Sequence, residues 1–162
     1  MKKLLILLFC LPMLAMAQLT AIPDTNFEQA LITLGYDVLP IDGTVPTVNI
    51  NTVTTLDVNY SNIADMTGIA DFTALMTLVS DNNQLTALDV SSNSALTSLS
   101  CYGNQLTILD VSSNTALTSL SCSFNQLTIL DVSSNTALAY LHCGGNQLSS
   151  LNLSNNINLE TL

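Results

Sequence analysis

The sequence predicts a solenoid of short parallel β-strands stacked coil on coil, closed at its N-terminal end by a capping helix. Three observations carry that prediction. The stretch "LTSLSCYGNQLTILDVSSNTA", residues 96 to 116, is followed at once by the nearly identical "LTSLSCSFNQLTILDVSSNTA", residues 117 to 137. Leu75, Leu96, Leu117, Leu138 and Leu159 recur with a strict period of 21. Pro23, Pro40 and Pro46, the prolines beyond residue 17, all precede the repeats and mark a lead-in of different character.

The first element, "MKKLLILLFCLPMLAMA", has Lys2 and Lys3 ahead of an apolar run and Ala15-Met16-Ala17 after it. This is the pattern of a secretory signal peptide over residues 1 to 17, with Cys10 lost along with it. The run is too short to anchor in a bilayer, and no later segment approaches the roughly 20 apolar residues a spanning helix needs. An exported protein, secreted or held at the outer cell surface, is expected.

Those two lysines are the only cationic side chains apart from the lone His142. Without them the chain carries twelve acidic residues and no Lys or Arg, so 0 minus 12 gives a formal charge of -12. Nucleic acids and anionic membrane surfaces both require clustered cations, so neither is a partner. Such acidity keeps a protein dispersed, and a monomer is expected.

Residues 18 to 52 form the cap. Thr25 and Glu28 fit a capping box, with Asp24 an alternative cap, ahead of a Phe27, Ala30, Leu31, Leu34 stripe that ends at Gly35. The spacing predicts a helix over about 25 to 34. Alone it would be marginal, but laid over the first coil it closes the exposed end of the stack.

Residues 53 to 162 are the repeats. The first half of each unit reads LxxLx(C/S)xxNQ and the second LxxLDVSSNxA, so each unit nests two related halves. In each half, positions 1, 4 and 6 are apolar and the residues between are polar, which gives a short extended segment one dry side. A unit cannot bury that side alone, whereas coils about 4.8 Å apart place leucine over leucine. Both halves are expected to be extended. Fixed-period repetition built on LxxLxLxxN defines a leucine-rich repeat solenoid.

The unit resembles the 21-residue bacterial leucine-rich repeat class with a nested half-repeat, known as IRREKO, whose consensus is similar to LxxLxCxxNxLxxLDLxxNxx. The likeness is close over residues 75 to 162, while residues 53 to 74 resemble a more ordinary, atypical first repeat of 22 residues. The lead-in "IPDTNFEQALITLGYD" resembles the opening of exported repeat proteins of Bacteroidetes-type bacteria. The resemblance implies a surface or secreted interaction module. The chain stops at "LETL", positions 1 to 4 of a further unit, so a longer protein is expected in which this array could also serve as the accessory part of an enzyme or surface protein.

Some columns read as structural. Asn83, Asn104, Asn125 and Asn146 fall where the strand must turn, and an amide can both donate to and accept from the backbone there. Cys101, Cys122 and Cys143 occupy an inward position 21 residues apart, which fits buried free thiols better than disulfides or the close pairs of zinc sites. Asp89, Asp110 and Asp131 repeat in the second half-unit, with Asn152 continuing the row. Carboxylates satisfied by neighbouring Ser and Thr are one reading, and calcium held between coils is the other. The spacing lacks the glycine-rich loop of calcium repeats, so no metal or other cofactor is assigned.

Nothing assembles into a catalytic set. His142 could meet Ser121 of the coil below, but no orienting group or oxyanion donors accompany the pair. Binding residues should break a consensus that packing maintains. Tyr102, Phe124, Tyr140 and His142 do so, and exposed aromatics on a rigid strand face make binding anchors. The sequence therefore reads as a non-enzymatic recognition or adhesion module for a protein or glycan.

Overall fold

The computed structural model describes residues 18–162; the expected leader and its Cys10 lie outside the described residues. The lead-in builds β1 (Leu19–Ala21), α1 (Thr25–Thr33), β2 (Thr44–Pro46) and the short α2 (Thr47–Ile50). β1 and β2 pair antiparallel, with Thr20 opposite Val45. Then β3 (Thr55–Asp57), β4 (Thr77–Val79), β5 (Ser98–Ser100), β6 (Ser119–Ser121) and β7 (Tyr140–His142) follow in chain order as one parallel sheet.

Each of these five strands is three residues long and centred on a leucine, with polar flanks except for Val79 in β4. The central leucines, Leu56, Leu78, Leu99, Leu120 and Leu141, are buried in register with one another. The ladder continues beyond the strands: Cys101 N donates to Ser121 O at 2.8 Å and Cys122 N to His142 O at 2.7 Å. Leu75, Leu96, Leu117 and Leu138 form a second fully buried column. Each such leucine contributes about 1.5–3 kcal/mol by leaving water, so contact between coils dominates stability.

In the second half-unit no hydrogen-bonded strand forms among the described residues. Its aspartates close local turns. Asp110 Oδ1 accepts from Ser112 N at 2.9 Å, and Asp89 and Asp131 accept likewise from Ser91 and Ser133. An Asx turn satisfies that N–H within its own coil, as Asp57 does for Asn59 N at the end of β3. One backbone bond per coil remains at the corner leading into this half, as from Gln126 N to Leu106 O at 2.8 Å.

The cap also differs in detail. Asp24, not the Thr25 and Glu28 box, caps α1: its Oδ1 accepts from Asn26 N and Phe27 N, and its Oδ2 from Ala64 N and Asp65 N. One carboxylate thus stitches helix to first repeat. Glu28 is buried and turned the other way, accepting from Asp42 N at 2.6 Å and Gly43 N at 2.8 Å. Leu34, expected on the buried stripe, is exposed. Phe27 stacks on Phe72 at 6.4 Å and joins the cap to the core.

Burial raises the pKa of Asp24, but the four backbone donors outweigh it and hold the carboxyl below its usual value. A group depressed on folding stabilises above its unfolded pKa, and that contribution is lost as pH falls through the folded value. Asp24→Asn should therefore flatten the loss of melting temperature on acidification below about pH 4. Parallel acid melting curves for the two proteins would contradict this.

Candidate functional site

The sequence-derived site residues divide into two groups. Tyr102 and Phe124, on the turn after β5 and β6, pack edge to face with ring centroids 5.3 Å apart. Tyr140 and His142 lie in β7, where Ser119 and Ser121 of β6 are their register partners. The Tyr140 hydroxyl donates to Glu160 Oε2 at 3.1 Å, and that bond raises its pKa. The residue remains 47% exposed. His142 is exposed beside Ser121, and among the described residues no hydrogen bond joins the two side chains.

Backbone geometry gives the Tyr102–Phe124 pair its character. Tyr60, Asn82, Gly103, Phe124 and Gly145 form one column at the corner where the first half-unit turns, with φ of 53°, 53°, 66°, 55° and 67°. The bond series Tyr60 N to Asp81 O, Asn82 N to Tyr102 O, Gly103 N to Ser123 O and Phe124 N to Gly144 O ties that corner from coil to coil. Glycine and asparagine suit this left-handed region, while a bulky aromatic there is an outlier costing about 1–2 kcal/mol. Phe124 is nonetheless 60% exposed, so its ring gains little burial in return.

Gly145 makes room for it. A Cβ at that position would stand 2.9 Å from Phe124 Cδ1, so the ring lies against bare backbone of the next coil. Asp81 braces the other side, accepting from Ser100 Oγ at 2.6 Å and Tyr102 N at 2.9 Å. Tyr60, exposed in the same corner column, extends the aromatic edge toward the cap. Sequence reasoning missed it; aligning Asn59-Tyr60 with Asp81-Asn82 would have found it.

The inward columns serve packing. Burial pushes the Cys122 thiol up to about 12, with Cys143 contributing, and pushes Cys101 well above its usual value. Thiols so placed are poor nucleophiles. Asn104 accepts from Leu85 N at 3.0 Å while donating to Ser80 O and Cys101 O, and Asn83, Asn125 and Asn146 repeat the arrangement. The Asn amides bond to backbone, not to one another as a side-chain ladder. The Asp89, Asp110 and Asp131 carboxylates are exposed and bonded back to their own coil, and among the described residues no three acidic, His or Cys side chains converge as metal ligands.

Comparison with known proteins places this geometry in context. No family model matches the chain. It is 42% identical over 72 residues to internalin J of Listeria monocytogenes serotype 4b (strain F2365), a span covering 44% of this chain and 8% of that protein. It superposes on the solved functional domain of internalin J from Listeria monocytogenes, described as including a cysteine ladder, with a TM-score of 0.83 and 39% identity. That match covers 90% of this chain and 33% of the solved domain. Internalin C2 from the same species matches at 20% identity and a TM-score of 0.59, over 86% of this chain and 76% of that one. The chain is a leucine-rich repeat solenoid spanning about a third of the solved domain's length. Among the described residues no helix is long and apolar enough to cross a membrane.

Proposed function

We propose that this chain is a non-enzymatic recognition module, exported and displayed outside the cell, that binds a protein or glycan along the edge formed by Tyr60, Tyr102 and Phe124, with Tyr140 and His142 on the adjoining strand. The observation that carries this reading is Phe124: an exposed aromatic in a left-handed backbone where the coils on either side place glycine. Strained residues cluster at ligand sites and are held there by the surrounding structure, as Phe124 is by its bond to Gly144 O and its contact with Tyr102. Similarity to internalin J supports a binding role. The absence of Lys and Arg beyond residue 3 removes carboxylate and phosphate clamps, which favours stacking on neutral sugar or a basic protein surface.

Screening the chain against arrayed neutral glycans and extracellular proteins supplies the ligand for the decisive comparison. Phe124→Gly removes both ring and strain, so folding stability should stay within about 1 kcal/mol of native, the lost aromatic contact offsetting the relief. Binding should weaken by more than about 1 kcal/mol, and Tyr140→Ala should weaken it as well. Thr107→Ala, on the second half-unit, should change little. The reverse ranking would move the site off this edge.

A further inference from the structure

The second half-unit carries a feature the aromatic edge does not use. Ile108 and Ile129 stand one coil apart, each 76% exposed, beside the row of Asp89, Asp110 and Asp131. Thr107, Ile108, Asp110, Thr128, Ile129 and Asp131 line an open groove between these ridges, and a second groove continues it past Ala87 and Asp89. Packing does not account for either ridge. Leu109 and Leu130 beside them are buried and fill the core, whereas the isoleucines touch water.

The next coil makes the same point by omission. There Ser150 replaces isoleucine and Asn152 replaces aspartate. Asn152 Oδ1 still accepts from Ser154 N at 3.0 Å, as Asp131 does from Ser133 at 2.9 Å. The turn therefore needs an acceptor but no charge. Stacked carboxylates repel one another, so the charge is not there for the turn. Isoleucine and aspartate stand together in two successive coils and are lost together in the next, while the coil before them sets Asp89 beside Ala87.

We propose that this groove docks a cationic amphipathic peptide segment of a partner protein, apolar side chains between Ile108 and Ile129 and Lys or Arg against Asp110 and Asp131. Charge complementarity selects the occupant. A second copy of this chain offers no Lys or Arg among its described residues and would set acid against acid, and an anionic lipid surface would be repelled too. The carboxylates stay ionised, because the Ser112 hydroxyl and N–H hold Asp110 below its usual range, and the Ser133 N–H and hydroxyl do so for Asp131. This surface is separate from the aromatic edge of the first half-unit and does not depend on it.

A synthetic helix with leucine along one face and lysine along the other, titrated into the full chain by calorimetry, is the probe. The native chain should bind it, with affinity falling as salt rises. Asp110→Asn with Asp131→Asn, and separately Ile108→Ser with Ile129→Ser, should each weaken binding about tenfold or more. Neither pair should shift the melting temperature, because the Ser150 and Asn152 coil already carries both changes. Asp37→Asn with Asp57→Asn removes equal charge elsewhere and should cost no more than about twofold, and Phe124→Gly should cost nothing. Equal loss from both acid pairs would reduce the effect to net charge and overturn the proposal. So would native-like binding by the isoleucine pair, or no binding by the native chain.

Discussion

Gly68→Ala should be among the most damaging single substitutions in the cap, lowering stability by about 3 kcal/mol, or on the order of 10 °C in melting temperature. Gly68 sits at φ 100°, where a side chain is strained whatever space surrounds it, at a cost of about 1–2 kcal/mol. Space is also missing: an added Cβ would stand 2.4 Å from Ile22 Cδ1 and 2.6 Å from the carbonyl oxygen of Ala21. The isoleucine could turn aside, but the oxygen belongs to β1 and cannot move without disturbing its pairing with β2. Overpacking of this kind adds about 1–3 kcal/mol. Gly35 separates the two terms, since at φ 82° a Cβ there meets nothing within 4 Å. Gly35→Ala should therefore cost only the backbone term. Equal melting temperatures for the two variants would mean that β1 does not dock on the first repeat as described.

The repeats were legible because one physical requirement, burying a leucine in every coil, is written at fixed spacing. The same argument placed Cys101, Cys122 and Cys143 inward, since position 6 has no other side to face. Legibility ended where backbone conformation or a choice among local acceptors decided the outcome. On paper the Thr25 and Glu28 box came first, with Asp24 the alternative. Asp24 was selected by Ala64 N and Asp65 N, some forty residues away, and Glu28 by the loop at Asp42 and Gly43. The β1–β2 pair joins segments too short and too mixed in composition to announce themselves. In the second half-unit the alternation resembles a strand, yet among the described residues the backbone bonds between coils there are those at the corner, such as Gln126 N to Leu106 O. The aromatics were visible as breaks in the repeat. That Tyr60 and Phe124 share a left-handed corner required φ values, and with them the strain that gives Phe124 its meaning.

Asn104→Ala should cost about 1–3 kcal/mol, and more than Asn114→Ala in the second buried column of Asn93, Asn114, Asn135 and Asn156. Both amides are buried between coils, but they satisfy different backbone groups. Asn104 accepts from Leu85 N and donates to Ser80 O and Cys101 O. Asn114 donates to Val90 O and Asn93 O, while its own Oδ1 has no partner among the described residues. Removing Asn114 leaves Val90 O and Asn93 O bonded to Asn93 N and Leu96 N, and disposes of one orphaned acceptor. Removing Asn104 leaves Ser80 O and Cys101 O bonded to the amides of Asn83 and Asn125 but strands the buried N–H of Leu85. Each buried group left unsatisfied costs about 1–3 kcal/mol, and an unpaired N–H is tolerated less well than a carbonyl with a second lone pair. Because each coil touches only its neighbours, the damage should centre on the junction of the first and second regular coils. Hydrogen exchange would then show the amide of Leu85 losing protection in Asn104→Ala but not in Asn114→Ala. Equal destabilisation by the two substitutions would mean that side-chain volume, and not the Leu85 hydrogen bond, is what the first asparagine column contributes.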